Sequence, residues 1–211
     1  MSISIKSKQV FDEDYKYIRK KEYYEPMILS IMNDSKIVFP STYKYIKKQD
    51  NKEPDFIDEI NGTKYDAKLL FENHICLALK EKDFGTFMVK LQDMVCINIP
   101  IQRESGPKNT MLYAEMEKRI NTLEPDESGI LFLPFPILMS LPESFTDLCS
   151  DQFDWCFAEM KCKKTVYLIG MNILGMIVCK QLGSYGRTEY LKNIYFDKWF
   201  NTELINCEKI A

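Results

Sequence analysis

The sequence predicts an α/β (α+β) fold: a central mixed β-sheet flanked by helices. Three observations carry this. Two short runs, 54–60 and 63–71, are joined by Asn61-Gly62, the strongest short-range hairpin signal. Apolar runs at 130–138, 165–170 and 175–180 read as buried strands. Between them lie segments with apolar residues at helical spacing, so helices interleave with strands. The chain has 211 residues, 45% hydrophobic and 28% charged, with no low-complexity tract or repeat. A single domain over 1–211 is expected, with a core over roughly 20–140 and a C-terminal α/β elaboration over 141–211.

Residues 9–24 place Phe11, Tyr15, Ile18 and Tyr23 at near-helical spacing, and 25–33 continue with Ile28, Leu29, Ile31 and Met32. Pro26 marks a helix start or a break between two helices. Residues 36–42 read as a short strand with Pro40 near its end, and 44–53 as a loop or helix end. After the hairpin, 83–95 forms an amphipathic helix with Phe84, Phe87, Met88 and Leu91 on its stripe and Asp83 at its cap. Residues 96–101 alternate as a strand, and 102–109 form a turn-rich loop. Residues 110–123 form a helix with Leu112, Tyr113, Met116, Ile120 and Leu123 inward. Strand 130–138 follows despite its two prolines; 143–160 is ambiguous, and a helix near 188–200 closes the chain.

Several chemistries are poorly served. Net charge is -3, so no fold-wide field attracts polyanions, and Arg19-Lys20-Lys21, Lys47-Lys48 and Lys161 to Lys164 read first as solvated faces. The aromatic-basic run 15–24 reads first as an exposed helix. Seven cysteines, an odd count without Cys-x-x-Cys, and no signal peptide fit reduced thiols in a cytoplasmic protein. The apolar stretch 165–179 is too short and interrupted to span a membrane. His74 is the only histidine, there is no Gly-x-Ser-x-Gly, and the eight glycines form no phosphate loop. Carboxylates and lysines are left as the working groups.

The hairpin concentrates them. With Asn61-Gly62 as a two-residue loop, Ile60 faces Thr63, Glu59 faces Lys64, Asp58 faces Tyr65, Ile57 faces Asp66, Phe56 faces Ala67 and Asp55 faces Lys68. One face then carries Phe56, Asp58, Ile60, Tyr65, Ala67 and Leu69 and is largely apolar. The other carries Asp55, Ile57, Glu59, Lys64, Asp66 and Lys68. Glu59 with Lys64 reads as an exposed pair, while Asp55, Asp66 and Lys68 lie side by side. Neighbouring carboxylates repel unless protonated, paired or bridged by a cation. A hard divalent ion suits such oxygen ligands.

Pro54-Asp55 followed by Asp66-Ala67-Lys68 resembles the PD-(D/E)xK nuclease superfamily over roughly residues 20–101. The resemblance implies a restriction-endonuclease-like core and metal-dependent hydrolysis of nucleic acid, DNA favoured over RNA. It implies that Asp55, Asp66 and the Ala67 carbonyl ligate Mg²⁺ or Mn²⁺, and that Lys68 orients or activates the attacking water. It also implies a helical glutamate: Glu25 fits best, with Glu22 the fallback, and Pro26 after Glu25 departs from the pattern. Lys90 and Gln92 are weaker candidates for a polar residue on the following helix. Double-strand cutting would imply a homodimer, whose seam the sequence does not display.

Asp/Glu-x-Lys occurs five times, so the triplet alone decides nothing. A competing set, Pro125-Asp126 with Glu159-Met160-Lys161, needs 153–164 as a strand and has no tight turn joining its halves. The hairpin set is preferred because spacing, turn chemistry and facial sorting agree. The alternative from another class is an inactive nuclease-fold module acting through protein or nucleic-acid contacts. In that case Asp55 opposite Lys68 is an ordinary cross-strand ion pair.

Overall fold

The computed structural model describes residues 21–46, 53–73, 107–136, 145–171, 176–183 and 186–192. Their elements are α1 (Lys21–Asp34), β1 (Tyr43–Tyr45), β2 (Phe56–Asp58), β3 (Lys64–Leu69), α2 (Met111–Ile120), β4 (Glu127–Pro136), α3 (Phe145–Met160), β5 (Val166–Met171), β6 (Ile177–Gln181) and β7 (Thr188–Leu191). A 3₁₀ turn, Pro107–Asn109, precedes α2. The fold is mixed α+β, as expected. Seven strands form one sheet in the order of the sequence, β1 through β7. Only β3–β4 and β4–β5 are parallel; the outer pairs are antiparallel. The parallel pairs need long crossovers, and α2 and α3 lie within those connections. No described helix is long and apolar enough to cross a membrane.

Helix α1 neither starts nor breaks at Pro26; it runs through it. Proline removes one backbone donor. The Ser30 hydroxyl also donates to the Pro26 carbonyl, at 3.1 Å. Tyr24, Ile28, Ile31 and Met32 form the buried stripe of this helix. Tyr24 lies against Phe132 of β4, with ring centroids 5.7 Å apart. Helix α2 starts where the sequence predicts, at Thr110, whose hydroxyl accepts from the Tyr113 N–H at 3.1 Å. Its inward residues Leu112, Tyr113, Met116 and Ile120 are all buried, and it packs on α3. The buried side chains from Tyr24 to Leu182 form one contiguous core.

Three expectations fail on the described residues. The first is the strand expected at 36–42. This segment is a turn, and β1 forms instead at Tyr43–Tyr45, running into the stretch 44–53 read as a loop or helix end. The cause is remote in sequence. Glu189 of β7 accepts the N–H groups of Lys36 (3.2 Å), Ile37 (2.9 Å) and Val38 (3.4 Å) and the Ser35 hydroxyl. Donors spent on one carboxylate cannot form a ladder. Burial would raise Glu189, but the Ser35 hydroxyl and these N–H groups outweigh it and hold its carboxyl below the ordinary value. The turn delivers Phe39 to the sheet, 4.7 Å from Tyr167 and edge-on to Tyr43 and Tyr65. The second failure is the helix near 188–200: Thr188–Leu191 is β7, and 193–200 lies outside the described residues. The ambiguous 143–160 is resolved as α3.

The third is the hairpin register. Phe56 pairs with Tyr65 and Ile57 with Lys64, a displacement of two residues from the two-residue loop. The loop is 59–62, closed by Asp58 N–H to Thr63 O and Gly62 N–H to Asp58 O, both 2.9 Å. The Asp58 side chain decides it, accepting from the Ile60 N–H (2.8 Å), the Asn61 N–H (3.1 Å), the Asn61 amide and the Ser41 hydroxyl. Gly62 takes the left-handed conformation that closes the turn, with φ 69°. A displacement of two preserves the sorting of strand faces, because the side-chain period is two. Glu59 therefore loses Lys64 as its expected partner: it pairs with Lys44 at 3.1 Å, and Lys64 with Asp126 at 2.7 Å. Strand β4 keeps its place despite Pro134 and Pro136, with a register shift against β5 between Leu133 and Pro136. Helix 83–95 and strand 96–101 lie outside the described residues.

Glu189 accepts from several donors of the turn, so Glu189→Ala is expected to lower unfolding free energy by about 2 kcal/mol. Glu189→Gln should recover part of the loss. Urea denaturation reads both, and an unchanged midpoint for the alanine variant would show that water replaces the carboxylate at no cost.

Candidate functional site

Strand β2 stops pairing regularly at its N-terminal end, and the site begins there. The Asp55 N–H donates to Tyr65 O at 2.9 Å, although Tyr65 is already the partner of Phe56. Two consecutive residues thus address one residue of β3, a bulge-like irregularity that re-aims a side chain. The Asp55 carbonyl accepts from the Ile46 N–H at 3.0 Å. Its carboxylate Oδ2 takes the Ala67 N–H at 2.7 Å, the role a strand carbonyl would otherwise fill. Asp55 is fully buried.

Asp55 lies beside Asp66, as expected, but the displaced register takes it out of the position opposite Lys68 that the two-residue loop predicted. Lys68 reaches along its own strand and forms an ion pair with Asp66 Oδ2. Asp66 is 8% exposed, and its Oδ1 is out of contact with solvent and receives no hydrogen bond from a donor group among the described residues. Between Asp55 and Asp66 only a shared proton or a cation can mediate. Burial first, then the neighbouring Asp55, push the Asp66 carboxyl up to about 6, against the opposing pull of Lys68.

Helix α1 supplies the third carboxylate. Glu25 is 2% exposed, directly before Pro26, and its Oε2 accepts the Tyr45 phenol at 2.9 Å. That hydrogen bond, with burial, holds the Tyr45 phenol above its ordinary pKa. Lys21, one turn earlier, places Nζ 3.5 Å from Glu25 Oε1 and 3.5 Å from Asp55 Oδ1. The neighbouring Tyr24 phenol is raised by burial and by the field of Glu25, Asp55, Glu72 and Asp66. Glu22 is exposed on the same helix.

Of the residues picked from the sequence, Glu25, Asp55, Asp66, Ala67 and Lys68 are brought together. The competing set is dispersed: Asp126 is exposed on Lys64, and Glu159 belongs to helix α3, paired with Lys108 at 3.0 Å. His74, Lys90 and Gln92 lie outside the described residues. Sequence reasoning missed Lys21 and Tyr45. Lys21 carried a signal, its i,i+4 spacing to Glu25. Tyr45 carried none, because the strand holding it was read as a loop.

The donor set is oxygen-only. Among the described residues no group of three or more His, Cys, Asp or Glu side chains could enclose a metal ion by itself. Two carboxylates and one carbonyl remain as candidates. A strand residue sends its C=O out on the same side as its N–H, so the Ala67 carbonyl leaves β3 on the side of Asp55. A hard cation that keeps several waters fits this sparse set, and the Asp66 oxygen without a donor is the point where the fit is best.

Two stability outcomes follow. The raised Asp66 pKa means the folded chain binds more protons than the unfolded one between about pH 4 and 6. Its contribution to stability is complete below the unfolded value and is lost as pH rises through about 6. Asp66→Asn should therefore leave metal-free stability at pH 7.5 unchanged or higher and flatten its slope between about pH 4 and 6. A large loss of melting temperature at pH 7.5 would make Asp66 a structural residue instead. At Asp55 the decisive contrast is Ala against Asn. Alanine strips the Ala67 N–H of its acceptor, a cost of about 1–3 kcal/mol, whereas asparagine can retain it. Chemical denaturation of the two variants checks this; equal midpoints would contradict the acceptor role.

No family model, curated protein or solved structure matches this chain.

Proposed function

We propose that the protein is a metal-dependent phosphodiesterase of the PD-(D/E)xK type, acting on nucleic acid as a DNA endonuclease. One observation carries the reading: a buried Asp55–Asp66 pair, with Ala67 between Asp66 and Lys68, lies at the end of the β2–β3 ladder beside a helical glutamate. The proton affinity of Asp66 marks an oxygen pair in need of a positive partner. Asp55, Asp66 and the Ala67 carbonyl would hold Mg²⁺ or Mn²⁺. Bound there, such an ion lowers the pKa of coordinated water and polarises a phosphoryl oxygen.

The remaining work falls to side chains of this chain. Lys68, already in contact with Asp66, orients the attacking water and offsets charge growing on the phosphate. Glu25 holds Lys21 and the Tyr45 hydroxyl at the rim. Asp55, with its Oδ2 fixed on the Ala67 N–H, keeps Oδ1 directed into the cluster. With a net charge of -3, attraction of the polyanion rests on such local cations.

A second reading is favoured by the ion pairs themselves. Lys21 and Lys68 compensate Asp55 and Asp66, so the cluster is also a stable internal salt-bridge group. On that reading the chain is an inactive nuclease-fold module that binds protein or nucleic acid. Cleavage of linear, circular and single-stranded DNA with Mn²⁺, wild type beside Lys68→Ala, separates the two. The nuclease reading expects metal-dependent cleavage that falls at least about 100-fold in the variant. No cleavage by wild type, together with no metal-induced rise in melting temperature, would leave the binding module.

A further inference from the structure

We propose that Lys21 is a tethered counter-ion of this site, which a divalent cation has to displace before it can bind. The inference rests on the metal-binding reading above and adds a regulatory step to it. Its ammonium group lies 3.5 Å from both Glu25 Oε1 and Asp55 Oδ1, bridging the helix and the β2–β3 end. The two carboxylates are buried, while the Lys21 side chain is 50% exposed. The lysine therefore enters from solvent and closes over oxygens that cannot reach water themselves.

The partners are unequal in a telling way. Asp66 has its own cation, Lys68, on the same strand. Asp55 has Oδ2 fixed on the Ala67 N–H, which leaves Oδ1 as the oxygen turned to Lys21. Asp55 Oδ1 is one of the oxygens a cation shared with Asp66 would use. A divalent ion and an ammonium group competing for one carboxylate oxygen repel each other at that distance. Lysine suits this role, being a point charge on a flexible stem rather than a planar fork. Helix geometry holds the stem within reach after release, since Lys21 and Glu25 are one turn apart.

Displacement has a second consequence. The freed ammonium group sits at the solvent side of the site, where a substrate phosphate offers it a new partner. Cation and polyanion then favour each other's binding, while the cation alone competes with Lys21. The cation-free protein is kept from carrying adjacent, uncompensated buried carboxylates.

Mn²⁺ alone is the probe. Its apparent Kd is read from the dependence of melting temperature on Mn²⁺ concentration for wild type, Lys21→Gln, Lys21→Arg and Asp66→Asn, without nucleic acid. Glutamine keeps the stem and helix propensity but removes the charge. The expected result is about 10-fold tighter Mn²⁺ binding by Lys21→Gln, a lower melting temperature for that variant without metal, and wild-type affinity for Lys21→Arg. Asp66→Asn should not respond. Unchanged or weaker Mn²⁺ binding by Lys21→Gln, with a normal wild-type response, overturns the counter-ion role and leaves the proposed function standing. No response from both wild type and Lys21→Gln overturns both. Binding by Lys21→Gln alone supports the counter-ion in its strongest form.

Discussion

The bond from the Ala67 N–H to the Asp55 carboxylate is the constraint on which the site depends. It ends one kind of order and starts another. Up to Phe56, strand β2 satisfies β3 through its backbone. Beyond that point a side chain takes over as acceptor, so the ladder stops without leaving a buried donor unsatisfied. Had the backbone continued in register, the Ala67 carbonyl would be consumed by a neighbouring strand. Instead it emerges beside two carboxylates.

Burying Glu25, Asp55 and Asp66 opposes folding, and the chain meets the cost by pairing each differently. Asp55 has a backbone N–H and Lys21, Asp66 has Lys68, and Glu25 has Tyr45 and Lys21. The compensation is incomplete at Asp66, where burial wins over Lys68 and the proton affinity rises. Local tension of this kind is tolerated where the surroundings fix the geometry. Here the surroundings are aromatic: Tyr24 on Phe132, and Phe39 among Tyr43, Tyr65 and Tyr167.

The far edge of the sheet contributes as well. Glu189 on β7 secures the turn that follows α1, and Asn33 at the end of α1 exchanges two hydrogen bonds with the backbone of Tyr43. The exit of α1 is thus tied to both edges of the sheet. A helix held at its exit and along its apolar stripe presents Lys21 and Glu25 at a defined height over β2 and β3. The placement of Lys21 and Glu25 therefore draws on contacts that contain neither of them.

Much of this was legible in the residues. Alternation in 54–71 gave both strands and their faces, the apolar spacing from Leu112 to Leu123 gave α2, and the apolar runs gave β4, β5 and β6. The Pro-Asp and Asp-x-Lys pieces named Asp55, Asp66 and Lys68, and a helical glutamate next to an apolar stripe named Glu25. These signals are local, with periods of two or about 3.6 residues, and a sequence displays them directly. The register did not follow from Asn61-Gly62, because Asp58 turned its carboxylate onto the loop N–H groups and lengthened the turn. The missing strand at 36–42 was decided by Glu189, some 150 positions away. By itself the sequence determined which groups can do chemistry and which strand faces bear them. Only the tertiary structure decided that Asp55 meets Lys21 and that Lys68 turns to Asp66, because those contacts are set by where a ladder ends and where a helix docks, and neither is periodic in the chain.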